Sequence, residues 1–486
     1  MLFNSIEYIV FFLPLVALLF FALNRFAHQI WALRLLVAAS VFFYGYWDPT
    51  YILLLVLSMA ANFIFGRLIC SPSALHPKLV LWIGVAFNII LLGIFKFTDF
   101  TIDNLNFLFG SALPHLKIIL PLGISFFTFT QIAFLVDCYH HKVKNYSLTN
   151  YFLFVTYFPH LIAGPIVHHS EMMPQFDDTA NKRINPENFK DGVLLFFIGL
   201  FKKVVLADTL AFWANQGFDN PQGMTFFVAW STSLSYAFQL YFDFSGYTDM
   251  ALGASKIFNI YLPINFNSPY KALNIRDFWG RWHITLSRFL RDYLYIPLGG
   301  NRKGDLHMYF NIFLTFLLGG IWHGAGWTFA LWGMLHGLGM IVYRLWEKTR
   351  ITMPKVLAWF LTFNFVNVAW VFFRVHNVED ALIILRGMAG MEGFVLPTQI
   401  LNLLPSFLRN YIQGLGTVPN LGDGTIMGFV EMAIFILMSL LIVTLFKNSQ
   451  EMPVRHKEIA CVFILAFCVQ KIAFSQLPSE FLYFRF

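Results

Sequence analysis

The chain has 486 residues, of which 58% are hydrophobic and 12% are charged. Soluble domains average about 45–50% apolar and about 25% charged residues, so this composition favours a protein whose surface faces a lipid bilayer. Four cysteines exclude a disulfide scaffold, and the 19% aromatic content excludes a disordered chain. The net charge of +7 is typical of cytoplasmic loops that face anionic lipid, or of a protein with an anionic substrate. We expect no nucleic-acid partner.

Apolar runs of about 17–25 residues, which are long enough to cross the hydrocarbon of a bilayer, recur along the chain. The predicted spans are Ile6–Leu23, Ile30–Tyr46, Tyr51–Ile69, Leu79–Phe95, Ile118–Val136, Tyr151–His168, Val193–Trp213, Thr225–Tyr247, Tyr309–Trp322, Thr328–Tyr343, Val356–Phe373, Ile426–Leu445 and Ile459–Lys471. The sequence therefore predicts an all-α, polytopic membrane protein with about eleven to thirteen transmembrane helices, together with re-entrant or interfacial helices. We expect a single integral membrane domain over residues 1–486.

The charges of the first loops indicate an orientation. Arg25 follows the first apolar run, Asp48 lies in the next loop, and Arg67 borders the loop after that. Since Lys and Arg accumulate in cytoplasmic loops, this alternation predicts an external N-terminus. Lys202 and Lys203 interrupt a later apolar run, where we expect a broken or re-entrant helix.

The segment Lys271–Lys303 has five more basic than acidic residues. Apolar residues at spacings of three and four predict one amphipathic helix over Arg276–Leu294, lying in the plane of the membrane interface. Two interpretations of Arg281, Arg288 and Arg291 stay open. They form a solvated cytoplasmic face, or they bind the phosphates of an acyl donor, for which guanidinium groups are well suited.

Ionisable side chains also occur beside long apolar runs. Asp243 and Asp249 are candidates for a functional site, because an unpaired carboxylate at membrane depth is costly; the alternative is a buried ion pair. His160, His168 and His169 show no ligand spacing to carboxylates or thiols, so we assign them no metal.

The strongest signal is the glycine- and tryptophan-rich stretch Gly319–Gly337, which contains His323 and His336. An imidazole can act as a general base near neutral pH. Along an unbroken helix, thirteen residues would separate the two histidines by about 20 Å, too far to share one reacting atom. The glycines between 319 and 326 could instead break the helix and place His323 in a cavity lined by irregular backbone.

Three motifs resemble those of the membrane-bound O-acyltransferases, in particular the alginate O-acetyltransferase AlgI branch. They are D-F-S-G-Y-T-D-M at Asp243–Met250, the run from R-D-F-W-G-R-W-H to L-G-G-N-R at Arg276–Arg302, and W-H-G at Trp322–Gly324. The resemblance covers nearly the whole chain. It implies a polytopic helical fold around a funnel or tunnel in a bacterial cytoplasmic (inner) membrane.

The resemblance also implies an activity. The expected reaction moves an acetyl group from a cytoplasmic donor, acetyl-CoA, toward hydroxyls of an extracytoplasmic polysaccharide such as alginate. An extracytoplasmic acetyl-accepting or acetyl-transferring protein is the expected partner, and no permanently bound cofactor is implied. His323 matches the family's essential histidine, and His336 matches a second one.

One departure concerns the related branch that serves teichoic-acid D-alanylation. That branch has a histidine in a T-F-x-F-V motif, whereas Leu361–Val366 reads L-T-F-N-F-V, with Asn364 at that place. This argues against D-alanylation, which stays an alternative. We keep Asn364 and Asp243 as candidate substrate-binding residues.

The chemistry of these residues agrees with acyl transfer and leaves its details open. His323 would remove the proton of an attacking hydroxyl, or would carry the acetyl group itself as an acyl-histidine. The N–H groups of Trp322 or Trp327, or backbone N–H groups of the glycine-rich turn, would stabilise the tetrahedral intermediate. The competing hypothesis is a transporter whose intramembrane His and Asp residues relay protons, although no inverted repeat is visible.

Overall fold

The computed structural model describes residues 1–71, 76–143, 146–394, 405–406, 426–474 and 479–482, and within them the chain is helical with no β-strand. The α-helices are α1 (Leu13–Phe26), α2 (Gln29–Gly45), α3 (Ile52–Cys70), α4 (Pro77–Phe109), α5 (Ile124–Tyr139), α6 (Leu148–Thr156), α7 (Phe158–Leu161), α8 (His169–Asp177), α9 (Pro186–Phe201), α10 (Asp208–Phe218), α11 (Phe226–Ile257), α12 (Ile275–Trp279), α13 (Ile284–Leu290), α14 (Asp305–His323), α15 (Trp327–Thr349), α16 (Lys355–Arg374), α17 (Val378–Met388), α18 (Ile426–Leu445) and α19 (Val454–Phe474). Turns of π-helix cover Glu7–Phe12, Lys202–Ala207 and Arg291–Tyr295, and short 3-10 turns cover Pro49–Tyr51, Thr179–Lys182 and Pro269–Lys271.

The all-α class predicted from the sequence is confirmed. Among the described residues, five helical stretches are long and apolar enough to cross a membrane: Glu7–Phe26, Pro49–Cys70, Pro77–Phe109, Lys355–Arg374 and Gly428–Leu445. The predicted total of about eleven to thirteen spans stays a prediction, because the other helices are shorter or more polar than this criterion allows. Residues 395–404 and 407–425 lie outside the described residues.

The centre of the molecule is the 32-residue helix α11, most of whose side chains are buried. It packs closely against α9, because two glycine pairs bring the backbones together. A Cβ on Gly199 would lie 2.5 Å from the carbonyl oxygen of Gly246, and one on Gly192 would lie 2.7 Å from that of Gly253. Small residues at such crossings are typical of helices that pack within a membrane.

The interruption predicted at Lys202 and Lys203 is a turn of π-helix that joins α9 to α10. Both lysines point into the core and form ion pairs there. Lys203 Nζ lies 2.6 Å from Asp243 and 2.9 Å from Asp208, and Lys202 Nζ lies 2.6 Å from Asp249. Buried charges paired in this way hold elements together and become costly if one partner is removed.

The prediction of one interfacial helix over Arg276–Leu294 is wrong. The segment forms α12 and α13, separated by a turn at Gly280–His283 in which His283 has a φ of +43°. The predicted apolar stripe exists, but it lies inside the protein: Phe278 and Leu286 are each 1% exposed. Local periodicity identifies an apolar stripe without showing whether lipid or protein covers it, and here α15 and α5 cover it.

Candidate functional site

The helical hairpin of α14 and α15 breaks beside a histidine. Helix α14 ends at His323, Gly324 is extended, and α15 begins at Trp327. Gly324 is required by close approach, because a Cβ at this position would lie 2.2 Å from the ring of Phe329. The predicted break is therefore present. Since it folds α15 back along α14, the separation of about 20 Å expected for an unbroken helix does not apply.

His323 is buried in an aromatic pocket. Its ring centroid lies 4.9 Å from that of Trp322, 5.1 Å from Trp332 and 5.3 Å from Phe373. The side chain of His336 is also buried, and its ring lies 4.7 Å from the same Trp332. Trp332 therefore packs against both predicted histidines.

The hydrogen bonds of His336 define its tautomer. Trp279 Nε1 donates to His336 Nδ1 at 3.2 Å, so a neutral His336 carries its proton on Nε2. Among the described residues, Nε2 has no hydrogen-bond partner. A buried N–H without a partner is uncommon and is often found at functional sites.

A third histidine, His283, lies close to His323 and was not singled out from the sequence. Its ring is 1% exposed and its centroid lies 6.4 Å from that of His323. His283 Nδ1 lies 3.2 Å from Asn265 Oδ1, which also accepts from the hydroxyl of Thr285 at 2.9 Å. The available signal was a second Trp-His pair: Trp282-His283 on the apolar stripe mirrors Trp322-His323.

Lys96 was also missed by sequence reasoning. Its ammonium group donates to the backbone carbonyls of Trp322 and His323, both at 2.8 Å. It lies 5.9 Å from the centroid of the Trp322 ring, within the range of a cation–π contact. A lysine of α4 therefore contacts the helix end that carries His323.

The contacts of the other predicted site residues place Trp322 beside His323 but direct Trp327, Asn364 and Asp243 to other partners. The Trp322 ring is stacked on Phe129 beside His323. Trp327 is exposed, and its indole N–H donates to Asn104 Oδ1 at 3.1 Å, so in this arrangement it is not directed at a reacting carbonyl. Asn364 donates to the carbonyl of Phe360 on its own helix, and Asp243 forms the ion pair with Lys203. Neither is brought to His323 by these contacts.

The three predicted arginines each bind a carboxylate. Arg281 contacts Asp277 at 2.7 Å, Arg288 contacts both oxygens of Glu171 at 2.5 and 2.8 Å, and Arg291 contacts Asp292 at 2.7 Å. Burial alone would raise the pKa of Glu171, but hydrogen bonds and charge from Arg288 lower it below its usual range. Of the three arginines, only Arg288 lines the cavity beside it.

That cavity has a volume of about 1030 Å³ and lies at the end of α5 that is predicted to be cytoplasmic. Its lining residues are Val136, Asp137, His140, Lys142, His168, His169, Ser170, Glu171, Arg288, Asp292, Tyr293, Ile296, Pro297 and Arg302. Asp137 accepts from the Tyr293 hydroxyl at 2.9 Å and lies 3.2 Å from His169 Nδ1. Among the described residues, no group of three or more His, Cys, Asp or Glu side chains is placed to hold a metal ion.

A series of aromatic rings connects this cavity with His323. Tyr293, at the cavity, lies 5.0 Å from Phe289, which is stacked on Phe129 at 4.1 Å. Phe129 is in turn stacked on Trp322 at 4.7 Å, next to His323. The cavity and the histidines are thus two ends of one aromatic layer between α5 and α13.

These features define a polytopic helical protein with imidazoles buried at a broken helical hairpin. The family model of the membrane-bound O-acyltransferases (MBOAT) matches residues 18–379. The chain therefore belongs to the membrane-bound O-acyltransferase family. It is an O-acyltransferase and a multi-pass membrane protein.

Relatives within the family differ in the acceptor that their names give. The chain is 51% identical over 428 residues to the peptidoglycan O-acetyltransferase of Helicobacter pylori, covering 82% of this chain and 81% of that protein. It is 38% identical over 393 residues to "Probable alginate O-acetylase AlgI" of Pseudomonas aeruginosa, covering 78% and 73%. The teichoic acid D-alanyltransferase of Bacillus subtilis is 28% identical over 271 residues, covering 52% and 68%. Alginate as the acceptor thus receives no specific support.

Proposed function

We propose that this protein is an O-acetyltransferase of a bacterial inner membrane that moves acetyl groups from acetyl-CoA toward hydroxyls of an extracytoplasmic glycan. The observation that carries the proposal is the position of His323. It is a buried imidazole at the break of a membrane-embedded hairpin, with a second imidazole, His283, 6.4 Å away between ring centroids. An aromatic, water-poor pocket of this kind suits transfer to a hydroxyl, because it excludes water that would hydrolyse the thioester.

In the proposed reaction, His323 acts as a general base. The acceptor oxygen attacks the thioester carbonyl carbon, so that a C–O bond forms and the C–S bond breaks. The hydroxyl proton moves to the imidazole of His323 and then to the departing thiolate. His283 is a further polar group of the pocket, and Trp322 packs against the base. Transfer through an acyl-histidine uses the same residue as nucleophile, and trapping of labelled protein distinguishes the two routes.

The cavity beside Arg288 is the proposed entry for the donor. Its lining contains Arg288, Arg302 and Lys142 together with the carboxylates of Asp137, Glu171 and Asp292. The anionic phosphates of acetyl-CoA would compete with Glu171 for Arg288. The aromatic layer leads from this cavity to His323. Of the three predicted arginines, we assign this role to Arg288 alone, since Arg281 and Arg291 do not line the cavity.

The donor assignment is tested by Arg288→Gln, which keeps a polar side chain and removes the charge. KM for acetyl-CoA should rise about tenfold, with a smaller change of kcat, and the salt dependence of the rate should flatten. The matched control is Arg276→Gln, which breaks a surface pair with Glu347 outside the cavity. A collapsed kcat with an unchanged KM would assign Arg288 a structural role instead.

Peptidoglycan is the proposed acceptor. The support is the relative at 51% identity, which is named for peptidoglycan; the AlgI relatives, which are named for alginate, stand at 37–38%. An extracytoplasmic acetyl-transferring protein is the proposed partner that delivers the group to the polymer. D-alanylation has weaker support, because relatives named for it match about half of the chain.

Labelled acetyl-CoA tests the activity and the acceptor together. Proteoliposomes containing the purified protein are supplied with acetyl-labelled CoA, and then with peptidoglycan fragments or with alginate, each with and without a periplasmic extract. We expect base-labile label in peptidoglycan, dependent on the extract. Label in alginate alone would replace the acceptor. Absence of CoA release and of any labelled product would contradict acetyl transfer and favour a transporter.

A further inference from the structure

The ammonium group of Lys96 makes contacts that the proposed chemistry does not explain. Lys96 lies in α4, a helix whose composition fits a membrane span, about 28 Å from the start of that helix. Lysines near the ends of such helices usually extend toward the headgroups. The ammonium group of Lys96 instead lies inside the protein, and its two hydrogen bonds of 2.8 Å go to the backbone of another helix.

The carbonyls that accept these bonds lie in the last turn of α14. The last four carbonyl groups of a helix lack partners within it, and they form the negative end of its dipole. In α14 two of these carbonyls belong to Trp322 and His323, where the backbone becomes extended at Gly324. A cation bonded to both carbonyls fixes the position of the helix end that carries the proposed base.

The same face of α4 contacts the other side of the break. Phe100 and Asn104 follow Lys96 at intervals of four residues, so the three side chains share one helical face. The Phe100 ring lies edge-on to Trp327 at 5.9 Å between centroids, and Asn104 accepts the indole N–H at 3.1 Å. Trp327 is the first residue of α15. One face of α4 therefore holds both the last turn of α14 and the first turn of α15.

We infer that Lys96 is a positioning residue for the reaction: with Phe100 and Asn104 it forms a brace on α4 that holds the Gly324 break and thereby the backbone of His323. This inference rests on the proposed function of His323, whereas the contacts that form the brace do not depend on which reaction the protein catalyses. The imidazole is fixed from one side by its aromatic neighbours and from the other by this backbone anchor. A displacement of about 1 Å at a catalytic group can cost about 100-fold in rate, so the anchor matters for kcat rather than for binding of the donor.

The test compares two variants of Lys96. Lys96→Met keeps the length of the side chain but removes its hydrogen-bond donors and its positive charge, whereas Lys96→Arg keeps the donors and the charge. Lys78→Met is the matched control, since Lys78 is an exposed lysine near the start of the same helix. We expect Lys96→Met to lower kcat by about 10- to 100-fold with KM for acetyl-CoA nearly unchanged. Lys96→Arg should stay within about tenfold of wild type, because guanidinium also donates charge-assisted bonds.

A second readout is independent of acetyl transfer. Amide hydrogen exchange of peptides covering residues 322–330 is measured for wild type and the three variants in detergent. Exchange should rise in Lys96→Met and stay near the wild-type level in Lys96→Arg and Lys78→Met, with little change in peptides from α9 and α11. Asn104→Leu should raise exchange in the same peptides to a smaller extent.

The outcomes separate the brace from the function. If Lys96→Met keeps the wild-type kcat, or if its exchange at 322–330 is unchanged, the brace is refuted even when wild type transfers acetyl groups. A rise of exchange throughout the chain would also refute it, since Lys96 would then act on global stability. If wild type transfers no acetyl group but exchange rises only at 322–330, the brace stands and the proposed function fails.

Discussion

Replacing His323 by Gln tests the role of the imidazole with the least disturbance of packing. Gln has a similar volume and no basic nitrogen, whereas Ala would leave a hole among Trp322, Trp332 and Phe373. Truncating a buried ring in such a setting costs about 3–5 kcal/mol of folding free energy, enough to confuse loss of activity with loss of fold. The Gln variant should still insert into the membrane and purify as wild type does.

The expected loss of rate follows from the chemistry. A positioned general base contributes about 10²- to 10⁴-fold to a reaction, which corresponds to about 3–5 kcal/mol of activation free energy. We therefore expect His323→Gln to lower kcat for acetyl transfer by at least 100-fold, with KM for acetyl-CoA changed little, because the proposed site of the donor phosphates is the cavity beside Arg288. Initial rates of thiol release with purified protein measure both constants.

His336→Gln is the matched control, because it makes the same change in the same hairpin. We expect a loss of about tenfold or less, since the ring of His336 packs against Trp332 and its Nδ1 accepts from Trp279. A folded His323→Gln variant with a rate within a few-fold of wild type would refute the catalytic assignment. An inactive His336→Gln beside an active His323→Gln would reverse the ranking of the two histidines.

Three further predictions concern packing, charge and pH. Gly324→Ala should destabilise the hairpin by about 1–3 kcal/mol and lower kcat, because the added Cβ overlaps an aromatic ring; thermal unfolding and initial rates check this. Asp243→Ala should lower the melting temperature and leave KM unchanged, because it leaves the buried Lys203 with Asp208 as its remaining carboxylate. The cost should stay below the loss of about 3–5 kcal/mol expected for a buried charge that loses its whole partner. An unchanged melting temperature with a raised KM would favour substrate binding. Arg288 lowers the pKa of Glu171. The stabilisation from this pair is therefore fully present at pH values above the usual glutamate pKa, and it is lost as the pH falls through the lowered pKa. Glu171→Gln should remove this part of the acid sensitivity, as measured by thermal unfolding at a series of pH values.

The sequence predicts most of the helices well where an apolar run is continuous. The predicted span Ile426–Leu445 coincides with α18, and Val356–Phe373 differs from α16 by one residue at each end. The span predicted to end at Phe95 shows the limit of this approach. A charged residue ends an apolar run, but α4 continues to Phe109. Lys96 donates to carbonyls that lie 226 and 227 residues further along the chain, contacts that no local pattern contains.

The candidate site likewise contains residues that the local sequence predicts and residues that it does not. His323 and the break at Gly324 follow from residues that are neighbours in sequence, and both lie where the glycine-rich stretch predicted them. His283 could not be placed beside His323 from the sequence, because forty residues separate them and only tertiary packing brings them together. The left-handed backbone of His283 at the start of α13 also breaks the helix that the periodicity predicted. The local pattern of apolar residues contains no information about what buries the stripe.

The amount of O-acetyl groups on the glycan of living cells directly tests the proposed role of His323. A bacterial strain that lacks its own copy of the gene expresses wild type or His323→Gln at equal membrane levels, and base-released acetate is quantified per sugar in purified peptidoglycan. The account predicts restored O-acetylation with wild type and background acetate with His323→Gln. Equal acetate from the two strains would contradict it.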